Sequence, residues 1–132
     1  MDAETRSRVR DRAGNRCEYC RVHQRYYIVT FHIEHIISRQ HHGSDNDANL
    51  AFACHFCNRY KGPNLAGVDP ESGELTRLFN PRIDQWDHHF RCQAGRILGL
   101  TPVGRTTIYV LNMNRPERVR IRMELEPETF LG

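Results

Sequence analysis

The chain has 132 residues, 39% hydrophobic and 27% charged, a length suited to one domain over 1–132. Its 19 bases against 16 acids leave a formal +3, and every base except Lys61 is Arg, the planar fork that matches phosphate oxygens. No run of about 18 apolar residues is present to span a membrane. Residues 1–12 alternate charges without the apolar stretch of a secretory leader, so a cytoplasmic location with reduced thiols is expected.

In chain order, residues 3–13 read as an Arg-rich helix that Gly14 stops. The aromatic and β-branched run 26–31, continued by Ile33, Ile36 and Ile37, reads as a strand towards 37. Residues 38–49, with Gly43, Ser44, Asp45, Asn46 and Asp47, form a loop by composition. A short second strand follows at 50–53, then a short helix ending near Gly62 and Pro63, and residues 63–73 read as a surface connection. Residues 88–98 suit a hairpin over Gly95. Thr101 and Pro102 are a helix cap and first residue, giving a helix to about Leu111. From Pro116 two readings compete: the proline can start a helix, yet Val119, Ile121, Met123 and Leu125 alternate with charged residues as a strand does. The acidic run at 124–128 reads as a solvated end.

Cysteine spacing is the sharpest signal. Cys17-Glu-Tyr-Cys20 and Cys54-His-Phe-Cys57 are two CxxC pairs separated by a long insert, the usual way to offer four thiolates to tetrahedral zinc. Redox CxxC motifs and buried apolar thiols are the alternatives. Such a zinc site is closed to chemistry and serves folding, worth about 10–16 kcal/mol in small zinc peptides. Cys92 reads as a buried small hydrophobe. Charge is uneven: seven Arg against four acids in residues 1–25, and five Arg against Glu117 in residues 105–122, flank a nearly neutral middle. Two basic ends of this kind suit a duplex, although a charge run is also an ordinary solvated face.

Between the pairs stand His32-Ile-Glu34-His35-Ile and Asn49-Leu50, and after them Cys57-Asn58-Arg-Tyr-Lys61-Gly62. In this order and spacing, residues 17–62 resemble the HNH endonuclease family in its zinc-stapled form, here an HNN variant because Asn58 stands where His is commoner. Leu78-Phe-Asn-Pro-Arg82, Trp86-Asp-His-His-Phe90 and the stretch from Gly99 to Arg105 are similar to an extension found in bacterial, especially cyanobacterial, HNH proteins. The resemblance implies an α+β fold: a ββα-metal (His-Me finger) core over about 14–62, with an N-terminal helix and a small C-terminal α/β extension over about 74–132.

It also implies roles. His35 is the expected general base, a group titrating near neutrality that takes a proton from the attacking water. Glu34 and Asn58 are the expected ligands of a catalytic Mg²⁺ or Mn²⁺, Asn49 the residue bracing the loop, and Cys17, Cys20, Cys54 and Cys57 the structural Zn²⁺ ligands. Arg39, Arg59, Lys61 and Arg105 are candidate phosphate contacts, and DNA, preferably double-stranded, is the expected partner, with RNA not excluded. Because strand neighbours point to opposite faces, Glu34 and His35 share a phosphate only at a strand end or twist. His32 lies on the face of Glu34 as an extra ligand or substrate contact, His41 and His42 are loop residues or phosphate neighbours, and His55 is expected exposed. The rival reading is a zinc-stapled module that binds nucleic acid without cutting it.

Overall fold

Asp2 opens the first helix, α1 (Ala3–Arg12), in the computed structural model, which describes residues 1–125: its carboxylate accepts the Thr5 N–H at 2.8 Å, and the turn ends at Gly14 with φ +64°. Only Thr5 and Val9 of this helix are buried. It is fastened instead by arginines: Arg12 donates to the carbonyls of Asp47 (2.9 Å) and Leu50 (2.6 Å), and Arg8 pairs with the Asp47 carboxylate at 2.9 Å.

The strand expected over 26–37 is cut down to β1 (His32–His35). The Gln24 side chain explains the loss, for it accepts the Phe31 N–H at 2.6 Å and donates to the Val29 carbonyl at 3.1 Å, which closes the preceding segment into a loop. Tyr27 and Phe31 then pack inward on Phe56 and Phe52 while Ile28 is left fully exposed. Apolar character here fed a loop's anchor points. The second strand, β2 (Leu50–Ala53), is where it was expected and is buried throughout. It pairs antiparallel with β1, His32 opposite Ala53, Glu34 opposite Ala51 and His35 opposite Leu50. Cys54 caps helix α2 (His55–Lys61), its sulfur accepting the Cys57 N–H at 3.3 Å, and Gly62 ends it.

The extension is richer than the sequence promised. Residues 63–73 hold a strand, β3 (Ala66–Val68), which pairs with β4 (Leu75–Arg77) in place of the plain connection expected. A single helical turn, α3 (Trp86–His89), leads into the hairpin of β5 (Phe90–Gln93) and β6 (Arg96–Gly99). Its two-residue turn has Ala94 at φ 51° and Gly95 at φ 80°, the left-handed pair that matches strand twist. Thr101 caps α4 (Pro102–Val110) with its hydroxyl on the Gly104 N–H at 3.0 Å. The two readings from Pro116 resolve as a helix, α5 (Pro116–Met123). The residues it buries are Arg118 and Arg122, one helical turn apart, so its inward stripe is written in arginine.

One aromatic run links the halves. Tyr19 meets Phe79 edge-on at 6.3 Å, Phe79 meets Phe90 at 5.2 Å, and Phe90 meets Trp86 at 5.1 Å. Mixed helices and small two-stranded sheets around a four-cysteine site make the fold α+β. No helix among the described residues is long and apolar enough to cross a membrane. Of the acidic run at 124–128, residues 126–128 lie outside the described residues.

Candidate active site and metal centre

The metal centre is built by two tight turns. In the first, Cys17 N–H reaches the Val22 carbonyl at 3.0 Å, Arg21 takes φ 72°, and the Cys20 N–H points at the Cys17 sulfur at 3.5 Å. In the second, Cys54 and Cys57 sit at the start of α2. The four sulfurs lie within 4.8 Å of one another and all four residues are buried. Four closely spaced, enclosed thiols, with no other acid or imidazole of the described residues among them, are the donor set of structural zinc. The group would tie the two pairs together and contribute to folding. Cys92 stands apart and half-buried, its thiol pushed up by burial.

The two residues between the first pair of cysteines reach into the sheet. Glu18 accepts the Phe52 N–H at 2.8 Å and also pairs with Arg82. Tyr19 donates its hydroxyl to Glu34 Oε2 at 2.7 Å. On the other oxygen, Glu34 Oε1 meets Lys61 Nζ at 2.5 Å, and Lys61 also donates to the Ile36 carbonyl at 2.9 Å. Burial pushes the Glu34 carboxyl up, opposed by Lys61 and by the Tyr19 hydrogen bond.

This cluster revises the expected ligand set. Glu34 is 5% exposed, with Oε2 accepting from Tyr19 and Oε1 paired with Lys61, so it faces the protein interior and a buried cation in place of solvent. The cation beside Glu34 in this structure is the Lys61 ammonium. Lys61, at 2% exposure, is likewise not a surface contact for phosphate. Strand alternation keeps Glu34 and His35 on opposite faces, because pairing runs on past β1 through the Ile36 N–H to the Asn49 carbonyl at 2.8 Å. Asn58 follows Cys57 on the α2 stripe that also carries His55 and Lys61. That stripe faces the His32 and Glu34 side of β1, with the His32 and His55 rings 6.1 Å apart. His55, expected exposed, is half-buried there.

His35 has a different setting. Its Nε2 lies 2.7 Å from Asp45 Oδ1, and Arg39 donates to the same oxygen at 3.1 Å. Together they hold the Asp45 carboxyl below its usual range, the His35 hydrogen bond being the larger cause. A carboxylate only accepts, so the imidazole proton belongs on Nε2 and the Nδ1 lone pair is left for other work. The side chain is 16% exposed at the end of β1. The loop that carries Asp45 is clamped by Asn49, whose amide accepts the Ile37 N–H at 2.9 Å and donates to the carbonyls of Ile37 (2.9 Å) and Ser44 (2.8 Å). Gly43 makes the clamp possible: a Cβ there would lie 1.7 Å from the Ile37 oxygen.

The structure thus brings His35, Asn49 and Arg39 together and sets Glu34, Lys61 and Asn58 on the other side of the strand. Arg59 is exposed on α2, whereas Arg105 is bound to Asp69 at 2.8 Å and to Glu71 at 3.2 Å, an internal pairing in place of a phosphate contact. His41 and His42 are exposed. Two partners were not read from the sequence. Asp45 sits in a run of loop-forming residues whose approach to His35 depends on the clamp. Tyr19 carries no motif beyond its place between two cysteines.

Residues 17–64, just over a third of the chain, match the family model described as HNH endonuclease. The match takes in both cysteine pairs, His35, Asn49 and Asn58, in the form with two CxxC pairs placed to hold zinc. No curated protein and no solved structure matches the chain.

Proposed function

We propose that the HNH segment, residues 17–64, hydrolyses phosphodiester bonds in DNA with His35 as the general base. The observation that carries the reading is the His35–Asp45 contact, held at a strand end by the Asn49 clamp. With its proton on Nε2 facing Asp45, His35 takes a proton from water at Nδ1 as that water attacks phosphorus. Asp45 steadies the resulting imidazolium, as a carboxylate does in other His-based hydrolases. Arg39, beside Asp45, and Arg59 are the exposed cations suited to neighbouring phosphates.

A catalytic Mg²⁺ or Mn²⁺ does not fit Glu34 and Asn58 as they stand, since Glu34 is buried and already faces the Lys61 ammonium and the Tyr19 hydroxyl. The exposed oxygen donor beside His35 is Asp45. The same burial and pairing favour a second reading, a zinc-stapled module that holds nucleic acid without cutting it. Plasmid nicking separates the two. Wild type, His35→Ala and Asp45→Asn are assayed with Mg²⁺, with Mn²⁺ and without divalent cation. His35→Ala is expected to lose about 10²–10⁴-fold. Cutting at the wild-type rate by that variant refutes the assignment of His35, and binding without any cutting by the wild type supports the second reading.

A further inference from the structure

Zinc held by four thiolates is a dianion: each sulfur brings one negative charge and the metal removes two. Enclosing a dianion away from water is costly unless a cation is enclosed with it. The four cysteines themselves supply none, and the family-matched segment ends at residue 64. The cation facing the sulfurs comes from the far end of the chain. Arg118 on α5 is 0% exposed, with Nη2 2.9 Å from Cys57 Sγ and 3.8 Å from Cys54 Sγ. Its Nη1 donates to the carbonyls of Leu111 (2.7 Å) and Asn112 (3.2 Å), and its guanidinium carbon lies 5.4 Å from the centre of the Phe56 ring.

These partners fix both the position and the direction of the fork. The carbonyls lock one nitrogen, the ring supports the plane, and the other nitrogen is left aimed at the second cysteine pair. Arg122, one turn further along the same buried stripe, provides a contrast. It donates to the carbonyls of Gly95 (2.7 Å) and Met113 (2.6 Å) and to Asn114 Oδ1 (3.2 Å), so its partners are oxygens.

We infer that Arg118 is an outer-sphere residue of the zinc centre, whose guanidinium donates to the Cys57 and Cys54 thiolates and so tightens metal binding while fastening α5 to the metal. A residue beyond the ligands that bonds to them is typically worth 10–100-fold in metal affinity. A donor on a thiolate withdraws electron density from sulfur, and its loss moves thiolate-to-metal charge transfer to lower energy. The inference is independent of whether His35 cuts DNA.

The experiment is competition for zinc between the full chain and a chromophoric chelator, together with absorption spectra of the cobalt-substituted protein. The chains compared are wild type, Arg118→Lys, Arg118→Gln and Arg122→Gln. Arg118→Gln is expected to bind zinc about 10–100-fold more weakly and to shift the thiolate-to-cobalt band to longer wavelength. Arg118→Lys, which keeps the charge, is expected to recover most of the affinity. Arg122→Gln is expected to lose fold stability while keeping the wild-type band and an affinity within about threefold of wild type, as suits a residue without a sulfur partner. Equal zinc affinity and an unmoved band in Arg118→Gln and Arg122→Gln overturn the inference. Should Arg118→Gln fail to fold even with zinc, Arg118→Lys decides. A Lys variant with the wild-type band and near-wild-type affinity supports the role of the charge, and one that fails as Gln does overturns it.

Discussion

Replacing Lys61 by Met tests the buried cluster at its centre. The ammonium lies 2.5 Å from Glu34 Oε1 and 2.9 Å from the Ile36 carbonyl, with 2% of the lysine side chain exposed. Methionine keeps the length and the apolar stem but leaves a carboxylate buried with only the Tyr19 hydroxyl for company. Removing one partner of a buried pair typically costs about 3–5 kcal/mol, because the remaining charge is stranded. For a chain of this size that is a fall of roughly 10–25 °C in Tm. Urea unfolding at pH 7 measures the loss, and the double variant Glu34→Gln, Lys61→Met separates charge from shape. Glutamine retains an acceptor for Tyr19 and carries no charge, so the double variant is expected to recover about 2 kcal/mol or more. pH gives a further handle. Burial already raises the Glu34 carboxyl, and loss of the ammonium drives it higher. A raised folded pKa favours the fold at low pH and loses that advantage as pH rises, so the Lys61→Met deficit is expected to be smaller at pH 5 than at pH 8. A cost under about 1 kcal/mol at pH 7, or no recovery in the double variant, refutes the description of Lys61 as the internal counter-ion of Glu34.

Three further changes test other parts of the structure. Gly43→Ala places a Cβ 1.7 Å from the Ile37 oxygen, so the clamp opens and hydrogen exchange at the Ile37 amide accelerates by at least tenfold while zinc content is unchanged. Asp69, bound by Arg105 and held well below the usual carboxylate range, contributes stability that is full above about pH 5 and is lost as pH falls further. Thermal melts of Asp69→Asn between pH 3 and 7 are expected to be lower than wild type at neutrality and to converge with it in acid. Thr101→Ala removes the cap on α4 and a partner of His89 Nδ1 and is expected to cost about 1 kcal/mol, with Thr101→Ser largely silent.

Legibility in the sequence followed the range of the interaction. Helix α1, the cap at Thr101 and the hairpin over Gly95 are written in local residues, and each is where the pattern put it. The four cysteines were legible for another reason, since their paired spacing is a constraint of the ligand set itself. Features set by contacts across the chain were not readable. Gln24 reaching Phe31 shortened a strand that aromatic content favoured. In α5 the usual rule inverted: the inward residues are arginines whose partners, carbonyls and sulfurs, lie on distant segments, so hydrophobic periodicity reported a strand. The candidate site divided along the same line. Adjacency of Glu34 and His35 was plain, but which face each side chain would take, and that Lys61 and Asp45 would be their partners, depended on α2 and on the clamped loop.

The tryptophan gives the knuckle an optical voice. Trp86, the one indole of the chain, is 5% exposed and donates its N–H to the Tyr19 carbonyl at 2.8 Å, with the Arg21 guanidinium 5.4 Å from its ring centre. Both contacts are with the turn that carries Cys17 and Cys20. Any loosening of that turn admits water to the indole, so indole emission, excited beyond the tyrosine absorption band, shifts to the red without a label and without interference from a second indole. Tyr19, which offers that carbonyl, is also the residue whose hydroxyl holds Glu34. The colour of the emitted light therefore tracks the condition of the metal-binding turn and, through one side chain, the footing of the strand that ends in His35.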